Sequence, residues 1–134
     1  MALRVIDTDV WSFIYKGSDQ GKLYQPHLFG HILVISFQTQ AELMRWVVSA
    51  AWGPHRRQHL ESRLQKCLVE HSSYDLSLRW ADAMESARRN GRPIAAGDAW
   101  VAATALHLGL PLITHNRNHF TGVDGLELIS EAEG

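Results

Sequence analysis

The chain has 134 residues, of which 46% are hydrophobic and 20% charged, and its formal net charge is −1. That length and balance predict one folded domain, residues 1–134, with a core of its own, and exclude a disordered segment. The near-zero charge excludes a global basic field, so a nucleic-acid partner would have to meet a local basic face. One cysteine, Cys67, excludes an internal disulfide and a cysteine-rich zinc site, and its apolar neighbours Leu68 and Val69 favour a buried thiol over a reactive one.

Leu3–Ile6 is a short, mainly apolar run interrupted by Arg4, the mark of a strand buried on both faces. Arg4 and Asp7 break it too early for a signal peptide, and no stretch approaches the roughly 18 apolar residues of a spanning helix, so the expectation is a cytoplasmic protein without a membrane partner. Thr8 or Asp9 is placed to cap a helix over residues 10–16, which Gly17 stops. A short helix fits residues 19–29, with Pro26 near its end, and Ile32–Ser36 is a second buried strand. Leu43, Trp46, Val47 and Ala50 recur at helical spacing within residues 39–51, which Gly53-Pro54 ends. Pro54 suits the first turn of another helix reaching about Gln65, with Arg56, Arg57, Arg63 and Lys66 along it. Residues 67–69 read as a strand and residues 76–90 as a helix, closed by Asn90-Gly91 with Pro93 beyond. An alanine-rich helix follows from Gly97-Asp98 to His107, and Gly109 closes it. Residues 110–114 and 126–129 supply the last two strands, the final one at an edge. This order predicts an α/β fold, a three-layer α/β/α sandwich with a mainly parallel sheet of about five strands.

Three acids stand where strands hand over to helices or early in helices: Asp7, Glu42 and Asp98. In such a fold the carboxyl ends of parallel strands open into one crevice. Carboxylates gathered there repel one another unless a cation holds them, which points to divalent-metal chemistry. Each also has a plainer explanation. Asp7 suits a helix cap, Glu42 a solvated helix position, and Asp98 a first-turn acid favoured by the helix dipole. Three separate explanations account for less than one shared site.

The motifs carrying these acids resemble a family. Val5-Ile6-Asp7-Thr8-Asp9 is similar to the opening of PIN-domain ribonucleases, Thr39-Gln40-Ala41-Glu42-Leu43 to their second motif, and Gly97-Asp98 before Val101-Ala102-Ala103-Thr104-Ala105 to their third. Thr114-His115-Asn116-Arg117-Asn118-His119-Phe120, then Gly125-Leu126, resembles their final motif and closing strand, and the ordered set looks most like VapC-type toxins of toxin–antitoxin pairs. The resemblance implies a metal-dependent endoribonuclease using Mg²⁺ (or Mn²⁺). Asp7 and Asp98 would be direct or near-direct ligands, with Glu42 binding through water or orienting the nucleophilic water. It assigns Asn116 to a water or phosphate oxygen and Thr114 to bracing Asp7 or the scissile phosphate. Arg92 and Arg117 are the substrate-binding candidates among the basic residues, most of which are expected to be solvated surface. The implied partners are an RNA substrate, a cognate antitoxin and a second copy in a homodimer. Two departures stand out: Asp9 replaces the more usual asparagine, and Asn116 and His119 occupy the stretch where many members carry an acid.

Two alternatives use the same residues. A non-catalytic RNA- or protein-binding PIN-like domain would fit the missing fourth acid. A haloacid-dehalogenase-like phosphatase would use Asp7 and Asp9 as nucleophile and acid, but Trp11 and the lack of an assignable lysine disfavour it. His55 and His59 are one turn apart with no further zinc motif, so surface histidines are expected. Trp46 and Trp80 suit packing, and Trp11 and Trp100 adjoin the acidic motifs, where packing is again the stronger expectation.

Overall fold

The computed structural model describes residues 2–132. Five strands, β1 (Leu3–Ile6), β2 (Ile32–Ser36), β3 (Leu68–Glu70), β4 (Leu112–Ile113) and β5 (Leu128–Ile129), form one sheet in the order β3-β2-β1-β4-β5. All four pairings are parallel, with Leu3 opposite Ile32, Val5 opposite Leu112, Val34 opposite Leu68 and Leu112 opposite Leu128. Six helices connect them: α1 (Thr8–Lys16), α2 (Asp19–Leu28), α3 (Phe37–Ser49), α4 (Pro54–Leu64), α5 (Tyr74–Arg89) and α6 (Ala96–Leu108). No helix among the described residues is long and apolar enough to cross a membrane.

The pleat sends neighbouring strand residues to opposite faces, which explains why Val5-Ile6, Val34-Ile35 and Leu112-Ile113 are apolar in succession. Val5, Val34 and Leu112 pack with Ala83, Ala87, Ala102 and Phe120 on the α5/α6 side. Ile6, Ile35 and Ile113 pack with Val10, Tyr24, Leu43 and Leu60 on the other. The three-layer sandwich expected from the element order is therefore present, and its sheet is wholly parallel.

Several boundaries moved, each for a local reason. α1 starts at Thr8 rather than Val10, because Asp7 itself is the cap: its Oδ1 accepts the Val10 N–H at 2.9 Å. Ser36 caps α3 through the Gln38 N–H (3.0 Å), starting that helix two residues early, and Ser73 does the same for α5 through Leu76 N–H (3.1 Å). β4 starts only at Leu112 because Pro111 has no N–H for the ladder. Gly17 and Gly109 end α1 and α6 in left-handed conformation, with φ of 64° and 67°.

Candidate active site

β1 lies beside β2 on one side and β4 on the other, so the chain reverses its direction across the sheet between β1 and β4. The gap beyond the carboxyl ends of two such strands is where open parallel sheets bind ligands. Asp7 follows β1 directly and Thr114 follows β4, and the Asp7 N–H donates to Ile113 O at 3.2 Å, which pins the two strand ends together. A hollow of about 150 Å³ opens there, lined by Asp7, Asp9, Glu42, Asp98, Asn116 and His119. Glu42 reaches it from the second turn of α3 and Asp98 from the first turn of α6.

Asp7 is only 5% exposed. One of its oxygens caps α1 and the other accepts the Thr114 hydroxyl at 2.5 Å, so the cap role and the site role belong to the same residue. Burial pushes its carboxyl up to about 6; the bonds from Thr114 and Val10 oppose this, and the charges of Asp9 and Asp98 add to it. Asp98 is also raised, first by burial and then by Glu42 and Asp9, while His119, with Nδ1 3.5 Å from Asp98 Oδ2, pulls it back. Both shifts come first from burial, and the neighbouring carboxylates add to it.

The candidates from sequence divide into two groups. Asp7, Glu42, Asp98 and Asn116 line the hollow, and Thr114 stands behind Asp7. Arg92 and Arg117 are exposed and do not line it; Arg92 Nη1 instead donates to Thr121 Oγ1 at 2.9 Å. Trp11 is buried in the core and Trp100 stacks on Trp80 at 5.2 Å, so both pack rather than shape the hollow. His55 and His59 are exposed, and Cys67 is half-buried with burial raising its thiol. Sequence reading passed over Gln38, whose Nε2 donates to Glu42 Oε1 at 3.0 Å. Its position one turn before Glu42 on the same helix was the available signal. Gly97 makes room for it, since a Cβ there would stand 3.0 Å from Gln38 Nε2.

No three acids, histidines or cysteines among the described residues are gathered closely enough to ligate one ion. The donors are nevertheless carboxylate oxygens that raise one another's proton affinity. Such a set fits a hard divalent cation that retains part of its water shell, rather than a soft metal in a closed cage. A larger depression of about 430 Å³ lies between α5 and the Asp124 turn. Its acids are already paired, Asp82 with Arg79 at 3.1 Å, Glu85 with Arg88 at 2.9 Å and Asp124 with Arg89 at 3.7 Å, so no unbalanced charge awaits a ligand there.

Topology and site together define an α/β protein with an acidic crevice at the switch point of a parallel sheet. The model of the PIN domain family matches residues 4–126, and the chain belongs to that family. Within it the chain is closely related to VapC-type toxins. Ribonuclease VapC1 of Haemophilus influenzae (strain R2866) is 30% identical over 95 residues, which is 71% of this chain and 71% of that relative. The crystal structure of VapBC2 from Rickettsia felis bound to a DNA fragment from their promoter superposes with a TM-score of 0.82, at 18% identity over 96% of this chain and 98% of that one. VapBC-5 from Mycobacterium tuberculosis, a member of the VapBC family of toxin–antitoxin systems, gives 0.72, at 25% identity over 97% and 99%. Membership of the PIN family leaves the phosphatase alternative without support.

Proposed function

We propose that the protein is a divalent-cation-dependent endoribonuclease that hydrolyses RNA phosphodiester bonds in the cytoplasm as the toxin of a toxin–antitoxin pair. The observation that carries this reading is the meeting of Asp7, Glu42 and Asp98, from three separate elements, in one hollow at the sheet's switch point. Asp7 and Asp98 would hold Mg²⁺ or Mn²⁺, with Glu42 binding through water. When bound, such a cation would lower the pKa of a water and offset charge on the scissile phosphate.

The chain's own residues do the rest. Thr114 and the Val10 N–H each take one lone pair of the Asp7 carboxylate, fixing its rotamer and leaving one on each oxygen for a ligand. Gln38 steadies Glu42 from behind. Burial and the neighbouring acids raise Asp98, while its place in the first turn of α6 and His119 act in the opposite direction, towards the ionised form. Arg92 and Arg117, exposed on the loops beside these motifs, would meet flanking phosphates and give a salt-dependent, sequence-independent contribution to affinity.

Replacing Asp7 by Asn is expected to lower Mn²⁺-dependent cleavage of RNA more than ~100-fold while the fold persists, beyond the usual effect of outer-shell changes at metal sites. Cleavage retained in a clean Asp7→Asn preparation would overturn these roles. Mapping RNA ends after induction, with Asp98→Ala as control, identifies the bond cut. VapBC2 from Rickettsia felis and the VapBC-5 toxin–antitoxin system of Mycobacterium tuberculosis support an antitoxin partner, and the VapC-like reading adds a homodimer. Co-expression with the neighbouring small gene should relieve growth arrest, and light scattering should report twice the chain mass.

The turn after β4, with Asn116 and His119 in place of an acid, favours one second reading, a non-catalytic RNA- or protein-binding PIN domain. Tight RNA binding without Mg²⁺- or Mn²⁺-dependent cleavage would select it.

A further inference from the structure

The fourth position of the hollow is not filled as the sequence implies. Asn116 was expected to offer its side chain to a water or a phosphate oxygen. Instead its Nδ2 donates to Asp9 Oδ2, and its backbone N–H donates to Thr114 Oγ1 at 3.0 Å, the same hydroxyl that donates to Asp7. One turn after β4 thus braces two carboxylates at the head of α1. Asp9 lines the hollow with Asp7, Glu42 and Asp98. None of the ion pairs among the described residues involves Asp9. An ordinary first-turn acid would gain from the helix dipole while pointing into solvent. This one is tethered towards three others by a neutral amide, which orients a carboxylate without cancelling its charge.

We propose that Asp9 supplies the fourth carboxylate of the cation site, and that Asn116 is the positioning residue that holds it there rather than a group that meets substrate. This rests on the cation-dependent reading above. The chain has in effect moved the acid from the turn after β4 to the first turn of α1, across a single hydrogen bond.

The test is Mn²⁺ binding measured by calorimetry on the intact protein without RNA. Asp9→Asn should weaken binding about a hundredfold, and Asn116→Ala should weaken it less, by about tenfold, as expected for an outer-shell change. Combining Asp9→Asn with Asn116→Asp keeps the net charge and the hydrogen bond, with donor and acceptor exchanged, and should restore affinity to within about threefold of wild type. Asp75→Asn, which removes the same charge at the head of α5, should change nothing. Thermal melts in chelator confirm that each variant folds. Unchanged Mn²⁺ affinity in Asp9→Asn, or a double variant no better than Asp9→Asn alone, overturns the proposal. If wild type binds Mn²⁺ and Asp7→Asn does not, that failure falls on Asp9 alone. A wild-type protein that binds no Mn²⁺ overturns the nuclease reading together with it.

Discussion

Asp7 carries a structural duty as the cap of α1 and, in the proposed function, a ligand's duty as well. The cap bond and the Thr114 bond fix its carboxylate, yet burial makes its ionised form unfavourable, and the carboxyl is pushed up from 3.8 to about 6. The native protein therefore binds this proton more tightly than the unfolded chain does. The contribution of this group to stability in cation-free buffer should be fullest below about pH 4 and be lost as pH rises through about 6, by about 3 kcal/mol. An amide at this position keeps an oxygen acceptor for the cap and carries no charge. Asp7→Asn should accordingly flatten that pH dependence and be more stable than wild type by ~1–3 kcal/mol at pH 7.5 in chelator, although inactive. Urea titrations from pH 4 to 8 measure this, and a variant less stable than wild type at pH 7.5 would contradict it. At this scale the sequence was informative about Asp7, Glu42, Asp98 and Thr114, because their motifs place them at strand and helix ends. It did not reveal the pairing of Asp9 with Asn116. Their pairing crosses 107 positions in sequence, and only the adjacency of β1 and β4 creates it.

Among the elements, caps and close approaches set the geometry. Gly21 lies inside α2, where alanine would ordinarily add about 1 kcal/mol of helix stability. A Cβ there would stand 2.5 Å from Phe13 O, in the backbone of α1. Gly21→Ala is therefore expected to destabilise the protein by ~1–3 kcal/mol through overpacking, reversing the usual sign, and a lower urea midpoint would show it. Tyr24, fully buried on the same helix, accepts the Glu131 N–H at 3.0 Å and bonds His115 Nδ1 at 2.6 Å. It ties the segment after β5 to the turn that carries Thr114 and Asn116. Tyr24→Phe should cost ~1–3 kcal/mol by stranding buried polar groups, measured by the same titration. Helix locations were readable from apolar periodicity and the glycine stops. Their first turns were less so, since the sequence offered several adjacent cap candidates and the tertiary contacts chose among them. For α1, Asp7 prevailed over Thr8 and Asp9 because its backbone also continues the β1–β4 edge.

For the molecule as a whole, topology concentrates negative charge at one end of a nearly neutral protein. A cation that binds the ionised acids and not the unfolded chain stabilises by mass action, about 2.7 kcal/mol at a hundred times its dissociation constant. Millimolar Mn²⁺ should thus raise the melting temperature at pH 7.5 and do little at pH 5, where Asp7 keeps its proton. Equal stabilisation at both pH values would mean that the ion binds elsewhere. The alternation of buried strands with helices and the strand-end acids determined by themselves that this is a layered α/β protein with an acidic crevice, because hydrophobic period and cap chemistry are local properties. Strand order, the all-parallel pairing, the placement of Arg92 and Arg117 outside the hollow, and the tether from Asn116 to Asp9 were decided only in three dimensions. Each depends on which distant segments become neighbours, and side-chain partners across a sheet leave no periodic trace along the chain.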